Sequence, residues 1–250
     1  MIPKIIHYCW LSNDPIPLDL QNHMLSWKEK LLDYEFILWN FDRFDKNSSL
    51  WVAQAFDNKK YAFAADYIRL YAVYNYGGFY MDMDIEVLKP FDDLLDNQII
   101  LAYEDEEQTG IEAGIFGAEK NNPIIKKCLE YYSGKSFIQE DGSFDTLVLP
   151  KIMIKYCKNI EIYNHFFFTC KSFKTGIITT NQNSYTIHHF AGSWCSEELA
   201  KRISFRQTMF KRFGNNIIAN VICVCYSFFS RLRESGIANT VKYYKDKLFV

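Results

Sequence analysis

The sequence predicts an α/β protein in which a mixed β-sheet is flanked by helices, followed by a C-terminal helical extension. Its 250 residues are 49% apolar, which is enough for a full core and favours one main domain. The first forty residues have the pattern strand, helix, strand, which is typical of a parallel sheet with a right-handed crossover. Ten lysines and arginines against two acids distinguish the basic extension, residues 201–250, from the main domain, residues 1–200.

The individual elements are predicted from apolar runs of strand length and from apolar residues at helical spacing. Strands are predicted over residues 3–10, 34–40, 79–87, 98–106, 160–168 and 185–190. Helices are predicted over residues 18–32, 50–56, 61–76, 124–132 and 144–156, the last broken near Pro150. Residues 111–123 are left without a strand, since their small side chains and glycines indicate close approach of the backbone to another group.

The helix over residues 61–76 carries only two charges, Asp66 and Arg69, among aromatic and aliphatic side chains. Apolar residues on every side predict a buried helix. An unpaired ion in such a place costs several kcal/mol, so these two side chains must be paired or must face a polar cavity. Their spacing of three residues puts both on one face. Gly77 and Gly78 follow and end the helix.

The segment after these glycines, residues 79–87, is predicted as one continuous strand. Its alternation puts Tyr80, Asp82, Asp84 and Glu86 on one face. Carboxylates two residues apart on a strand are separated by about 6–7 Å. This spacing suits a hard divalent cation that also binds an anionic ligand.

A second unusual segment, YTIHHFAGSW at residues 185–194, contains two adjacent histidines at a predicted strand end. Neighbouring residues of a strand point to opposite faces, so at most one of His188 and His189 can enter a given site. Taken alone, either histidine fits a structural role. Together with a distant Asp-x-Asp pair, an imidazole also fits a metal ligand.

Several chemistries can use the Asp-x-Asp pair. An EF-hand loop that begins at Asp82 is excluded, because Val87 occupies the position that requires glycine. A metal-dependent phosphohydrolase would use Asp82 as the nucleophile of a strand-borne motif. A non-catalytic glycan-binding module on a similar fold is a third interpretation, although such a module needs no metal and diphosphate site.

Three blocks of the chain, taken together, resemble the DXD-containing sugar transferases. The blocks are IPKIIHYCW at residues 2–10, AADYIRLYAVYNYGGFYMDMD at 64–84 and HHFAGSW at 188–194. This group includes bacterial capsule and polysaccharide transferases, fungal initiating mannosyltransferases and the catalytic domains of glucosylating toxins. The resemblance implies a GT-A, Rossmann-like fold, with Mn²⁺ or Mg²⁺ as cofactor.

The activity implied by the resemblance is retaining transfer from a nucleotide-diphosphate sugar, with a UDP-hexose favoured over GDP-mannose. The implied acceptor is a glycan or lipid-linked glycan, in the synthesis of a surface polysaccharide.

The resemblance also implies roles for individual residues. Trp10 would stack on the nucleobase, and Asp66 and Arg69 would bind sugar hydroxyls. Asp82 would contact the ribose or sugar together with a metal-bound water, and Tyr80 is counted among the donor-binding residues.

The remaining implied roles concern the metal and the diphosphate. Asp84 would ligate the metal directly, and His189, five residues before Trp194, takes the place of a third ligand. Ser193 and Trp194 would hold the diphosphate. Glu86 is left as a structural or solvent-facing acid.

Residues 215–233 predict an amphipathic helix with the basic flanks Lys211, Arg212, Arg231 and Arg233. Its continuous apolar run is shorter than the roughly 20 residues that a membrane span needs. Such a helix suits an anionic membrane surface, or it packs on its own domain.

Other partners and the location follow from the rest of the chain. We expect no signal peptide and no nucleic-acid partner, hence a cytoplasmic protein that is peripheral on the membrane if the amphipathic helix binds there. The seven cysteines show no CxxC spacing, which predicts reduced core residues and no cysteine-based zinc site.

Overall fold

The computed structural model describes residues 1–157, 160–192, 196–214 and 216–248. The strands are β1 (Ile5–Cys9), β2 (Glu35–Trp39), β3 (Gly78–Met81), β4 (Ile85–Val87), β5 (Ile99–Ile100), β6 (Ile115–Ala118) and β7 (Thr186–His188). The α-helices are α1 (Leu18–Lys30), α2 (Leu50–Asp57), α3 (Tyr61–Tyr76), α4 (Pro123–Glu130), α5 (Leu149–Tyr156), α6 (Glu197–Phe213) and α7 (Ile217–Leu248).

The main sheet has the strand order β2-β1-β3-β6-β5, and β4 pairs separately with β7. β1 is parallel to both β2 and β3, whereas β6 is antiparallel to β3 and to β5. β6 therefore runs opposite to the other four strands. The predicted α/β class with a mixed sheet, and the predicted parallel β-α-β unit at its start, are confirmed.

Apolar cores cover both faces of this sheet. Successive side chains of β3 point to opposite faces of the sheet. Tyr80 lies in one core, and Phe79 and Met81 lie in the other. The first core contains buried residues of α2, α3, α4 and α5, and the second contains Leu20 and Trp27 of α1. Helices thus flank the sheet on both sides, and the strand ends are left to form the site.

The start of β3 depends on two glycines. Gly77 and Gly78 have φ values of 70° and 100°, a region that favours glycine. A Cβ on Gly78 would lie 2.5 Å from the carbonyl oxygen of Ile5, so glycine also allows β3 to approach β1. The predicted helix end at these two residues is confirmed.

The prediction of one strand over residues 79–87 is wrong. β3 ends at Met81, Asp82 to Asp84 form a turn, and β4 begins at Ile85. In the turn, the Ile85 N–H donates to the Asp82 carbonyl at 3.1 Å. The chain turns here because β4 leaves the main sheet and pairs with β7. The four polar side chains therefore do not share one strand face.

Other predicted elements are shorter than expected or are absent. The predicted strand at 98–106 is reduced to β5, and the predicted strand at 160–168 to an isolated bridge between Tyr163 and Ala102. Helix α5 begins only at Leu149, and it is not kinked at Pro150. The reason is that Pro150 lies in the first turn of the helix, where proline is tolerated. β6 was not predicted, since its sequence contains Gly117 and follows a glycine-rich run.

Contacts divide the chain into two units, Met1–Cys170 with Thr179–Phe190, and Lys171–Ile178 with Ala191–Val250. The predicted boundary after residue 200 stays a prediction. In the second unit α6 and α7 pack through stacked Phe205 and Tyr226 rings, whose centroids are 3.9 Å apart. The predicted C-terminal extension is helical, and α7 bends at Gly236.

Two further observations concern composition. Among the described cysteines, Cys128, Cys157 and Cys170 are buried and carry no disulfide, as expected of core thiols, whereas Cys225 is exposed. Within the described part of the chain, every helix falls short of the length and apolar character that a membrane span requires.

Candidate functional site

The turn after β3 brings two carboxylates and an imidazole together. One donor atom from each of Asp82, Asp84 and His188 lies within 4.8 Å of the others. His188 Nε2 lies 3.4 Å from Asp84 Oδ1. Asp84 and His188 are each only 8% exposed. Two carboxylates and one imidazole are a donor set that suits Mn²⁺-like divalent ions, so the residues present fit the expected cation.

The orientation of His188 is fixed by Glu112, which is 2% exposed. His188 Nδ1 lies 3.1 Å from both carboxylate oxygens of Glu112, which leaves Nε2 facing Asp84. Glu112 also accepts hydrogen bonds from the Gly114 N–H at 2.7 Å and the Thr169 hydroxyl at 2.8 Å. A carboxylate behind a metal-binding histidine fixes its ring and raises its basicity.

The opposite charges of His188 and Glu112 stabilise each other. Burial lowers the pKa of His188, but the carboxylates of Glu112 and Asp84 outweigh it and raise that pKa well above its usual range. Burial raises the pKa of Glu112, but His188 and the hydrogen bonds outweigh it, so the pKa is lowered. A buried ion pair of this kind requires both partners to remain.

Gly114 occupies a position where a side chain has no room. A Cβ there would lie 2.7 Å from Cε1 of His188 and 2.9 Å from Oε1 of Glu112. Its carbonyl accepts a hydrogen bond from the Asp82 N–H at 2.7 Å. The glycine therefore supports both the histidine and the acidic turn.

Arg69 of α3 reaches the same cluster from the helix side. Its Nη1 donates to the Ala113 carbonyl at 2.6 Å and lies 3.3 Å from Asp82 Oδ2. Its Nη2 lies 3.5 Å from Asp66 Oδ1. The expectation that the two helix charges are paired is confirmed. Burial raises the pKa of Asp66 to about 6, although Arg69 opposes this. Burial likewise raises the pKa of Asp82, again opposed by Arg69.

Tyr80, predicted as a donor-binding residue, is buried behind Asp82. Its side chain is 1% exposed, and its hydroxyl donates to Asp82 Oδ1 at 2.7 Å. The guanidinium carbon of Arg69 lies 4.5 Å from its ring centroid. The structure therefore places Tyr80 where it orients Asp82, and not on a surface that a nucleotide sugar can touch.

His189, predicted as the third metal ligand, lies away from the Asp82 and Asp84 carboxylates. Its Nε2 lies 2.8 Å from Glu86 Oε2, and its ring stacks on His23. Adjacent residues at a strand end point to opposite sides, and the register pairs His188 with Ile85 next to the acidic turn. The structure therefore corrects the prediction: His188, not His189, faces the acidic turn.

The remaining predicted residues are Trp10, Ser193 and Trp194. Trp10 directly follows β1, is half-buried, and its indole N–H donates to the Asp14 carbonyl at 2.8 Å. Because β1 and β3 are parallel, Trp10 and Asp82 both follow the carboxyl ends of their strands, on one edge of the sheet. Ser193 and Trp194 lie outside the described residues.

Sequence reasoning missed Glu112, Gly114 and Thr169. A signal was present for the first two, since Glu112 is the only charge in the segment IEAGIFGA, where glycines indicate a close backbone approach. An isolated acid in such a segment needs a buried partner. Thr169 carries no comparable signal in its sequence neighbourhood.

Part of the chain matches the profile of a known family. Residues 17–101 match the family described as "Glycosyltransferase sugar-binding region containing DXD motif". The matched segment contains α3, the acidic turn and β4. The resemblance to DXD-containing sugar transferases is confirmed over this segment.

Curated relatives are similar over about half of this chain. One is "Inositol phosphoceramide mannosyltransferase 3" of Schizosaccharomyces pombe, 30% identical over 128 residues, which are 50% of this chain and 35% of that protein. Another is "Mannosyl phosphorylinositol ceramide synthase SUR1" of Saccharomyces cerevisiae, 30% identical over 138 residues, with coverages of 52% and 34%. The chain thus spans about a third of the length of these relatives.

Solved structures show a weaker likeness. The structure named "PaToxG Glycosyltransferase" covers 62% of this chain and 69% of its own, with 21% identity and a TM-score of 0.48.

Proposed function

We propose that this chain is a retaining glycosyltransferase that takes its sugar from a nucleotide-diphosphate sugar and uses Mn²⁺ or Mg²⁺. The observation that carries the proposal is the convergence of Asp82, Asp84 and His188 beside Arg69. The two carboxylates lie in the segment that matches the DXD family, whereas His188 lies about a hundred residues later. The family match covers the two carboxylates but not His188, and the convergence of His188 with them supports the proposal.

The chemistry follows from charge. When bound, the cation neutralises negative charge on the leaving diphosphate. Asp84 and His188 would hold it, and Glu112 keeps His188 Nε2 facing Asp84. Arg69, fixed by the Ala113 carbonyl, would orient the sugar with Asp66. Orientation on a rigid helix lowers the entropic cost of reaching the reactive geometry.

The phosphohydrolase alternative requires Asp82 as a free nucleophile. Both of its carboxylate oxygens are engaged, Oδ1 by the Tyr80 hydroxyl at 2.7 Å and Oδ2 by Arg69 at 3.3 Å. Donors on both oxygens reduce nucleophilicity and favour a role in binding. A glycan-binding module would not need the buried charges of the Asp82, Asp84 and His188 cluster, and burying charges costs stability.

The identities of the sugar donor and of the acceptor also belong to the proposal. The resemblance to the DXD-containing sugar transferases favours a UDP-hexose. The two relatives, however, are named "Inositol phosphoceramide mannosyltransferase 3" and "Mannosyl phosphorylinositol ceramide synthase SUR1". GDP-mannose is therefore tested beside the UDP-hexoses. The acceptor we propose is a glycan or lipid-linked glycan in surface polysaccharide synthesis, and the word ceramide in both names supports the lipid-linked form.

We extend the proposal to a cytoplasmic location with peripheral attachment to an anionic membrane surface. The support is the apolar exposure of α7, where Ile217 and Ile218 are 81% and 69% exposed, together with its basic flanks. Full-length protein should sediment with phosphatidylserine vesicles and not with phosphatidylcholine vesicles. The Ile217→Asn/Ile218→Asn variant should lose this binding, and Ile177→Asn, an exposed control, should keep it.

Donor binding and hydrolysis test the transferase proposal directly. Melting temperature is measured with a panel of UDP-hexoses and GDP-mannose, with and without Mn²⁺, followed by release of free sugar. We expect at least one donor to stabilise the protein only when Mn²⁺ is present. Asp84→Asn should reduce hydrolysis by roughly 100-fold or more, as expected when charge stabilisation is lost. Asp96→Asn, an exposed control, should not.

The proposal fails if no donor gives metal-dependent stabilisation. It also fails if Asp84→Asn, with its fold retained by circular dichroism, hydrolyses the donor at the rate of the parent protein.

A further inference from the structure

We propose that His23, Glu86 and His189 form a second divalent-metal site, distinct from the Asp82, Asp84 and His188 cluster and suited to Zn²⁺. One donor atom from each of the three residues lies within 4.8 Å of the others. The proposal concerns a different set of side chains from the proposed function and does not depend on it.

The side chains of His23, Glu86 and His189 lie close together. His189 Nε2 lies 2.8 Å from Glu86 Oε2. The rings of His23 and His189 stack with centroids 4.1 Å apart and an interplanar angle of 22°. All three residues are half-buried, so an ion can enter from solvent and keep a water as its fourth ligand.

The three donors come from three elements that other bonds already hold together. The Trp27 indole N–H of α1 donates to the Ile85 carbonyl at 2.6 Å, and the Ser26 hydroxyl accepts from the Val87 N–H at 2.9 Å. These bonds are made on both sides of Glu86 and within one turn of His23. The β4–β7 ladder then fixes the strand that precedes His189. Little ordering is therefore left for a metal to impose, which favours affinity.

The donor chemistry distinguishes this cluster from the first. The Asp82, Asp84 and His188 cluster offers two carboxylates and one imidazole, which suits oxygen-preferring Mn²⁺ or Mg²⁺. The His23, Glu86 and His189 cluster offers two imidazoles and one carboxylate, a common set for Zn²⁺ and for Co²⁺ as its spectroscopic substitute. Neighbouring clusters with different donors should therefore select different metals.

Occupancy of the second site would act on the first through the backbone. The His189 N–H donates to the Asp84 carbonyl at 2.9 Å. A metal that holds the His189 side chain against β4 therefore also holds the backbone of a ligand to the first ion. The site we propose therefore joins side chains of α1, β4 and the residue after β7, elements that hydrogen bonds already hold together.

The test uses Asp84→Asn protein, in which the first site is weakened, and no sugar nucleotide. The protein is loaded with Zn²⁺, passed through gel filtration, and its metal content measured; Co²⁺ loading is followed by visible absorption. We expect one Zn²⁺ per chain, and none after a further His23→Gln or Glu86→Gln substitution. His165→Gln, a histidine outside both clusters, serves as the matched control and should retain the ion.

Two ligand variants, His23→Gln and Glu86→Gln, are used so that the test can still be read if one of them misfolds. Circular dichroism checks the fold of each variant. The proposal is overturned if the Asp84→Asn protein retains no Zn²⁺, or if folded His23→Gln and Glu86→Gln variants retain as much as the control. Donor hydrolysis in Mn²⁺ plays no part in this experiment, so its result is separate from that of the transferase test.

Discussion

The two sides of the β4–β7 pair differ in how their polar side chains are held. On one side, the Asp84 and His188 side chains are each 11% exposed, and the Glu112 side chain behind them is 3% exposed. On the other side, the Glu86 and His189 side chains are 39% and 21% exposed. Buried polar groups lose much when a partner is removed, whereas partly solvated groups recover hydration. Equivalent substitutions should therefore cost more on the buried side.

The largest effect expected on the buried side follows removal of Arg69. Arg69→Met leaves Asp66 and Asp82 buried without their cation, and loss of one partner of a buried pair costs about 3–5 kcal/mol. Urea denaturation should show this loss in the free energy of unfolding. Arg69→Lys keeps the charge and should lose less. A loss below about 1 kcal/mol in Arg69→Met would show that the cluster is hydrated in solution.

The second effect is a pH dependence that comes from Asp66. Burial raises its pKa from 3.8 to about 6, so between these values the folded protein holds a proton that the unfolded chain releases. Stability therefore falls as pH rises through this window. Asp66→Asn lacks this dependence, and its stability relative to the parent protein should increase by up to about 3 kcal/mol from pH 4 to pH 7.

The difference between variant and parent at each pH removes the constant cost of the substitution. If that difference is flat between pH 4 and pH 7, Asp66 titrates near its ordinary value and is not desolvated. Urea midpoints at four or five pH values are sufficient to decide this.

The third effect concerns Glu112, which orients His188 without touching the proposed cation. Glu112→Gln removes the negative charge beside Nδ1 and should weaken Mn²⁺ binding about 10- to 100-fold. Isothermal titration with Mn²⁺ measures this. Glu107→Gln, an exposed acid, should bind Mn²⁺ as the parent does. Equal affinities of both variants would mean that Glu112 only stabilises the fold.

These residues also show what the sequence can predict. The helix α3, its end at Gly77 and Gly78, and the pairing of Asp66 with Arg69 depend on neighbours within a few turns, so local periodicity was sufficient. The β1-α1-β2 unit was predicted for the same reason. The choice of Asp82 and Asp84 as metal ligands stays a prediction, supported by their convergence with His188.

The remaining features depend on distant pairing. Asp82 to Asp84 form a turn only because β4 pairs with β7, a hundred residues later. The same register decides that His188 faces the acidic turn while His189 faces Glu86, a choice that alternation alone leaves open. β6 was missed because a glycine-containing strand of four residues, buried between β3 and β5, has no alternating pattern.

The smallest effect is expected on the half-exposed side, where α1 is joined to β4. Ser26→Ala removes the hydrogen bond from the Val87 N–H and the one that the Ser26 hydroxyl donates to the His23 carbonyl at 2.6 Å. One such bond contributes about 1 kcal/mol, so the free energy of unfolding should fall by about 1–2 kcal/mol. Ser133→Ala, an exposed serine, should be neutral. Zn²⁺ retention should also fall in Ser26→Ala, since His23 lies one turn before Ser26. Mn²⁺ affinity should not change. A larger loss of unfolding free energy in Ser26→Ala than in Arg69→Met would reverse the comparison, because the half-exposed side would then be the more tightly held of the two.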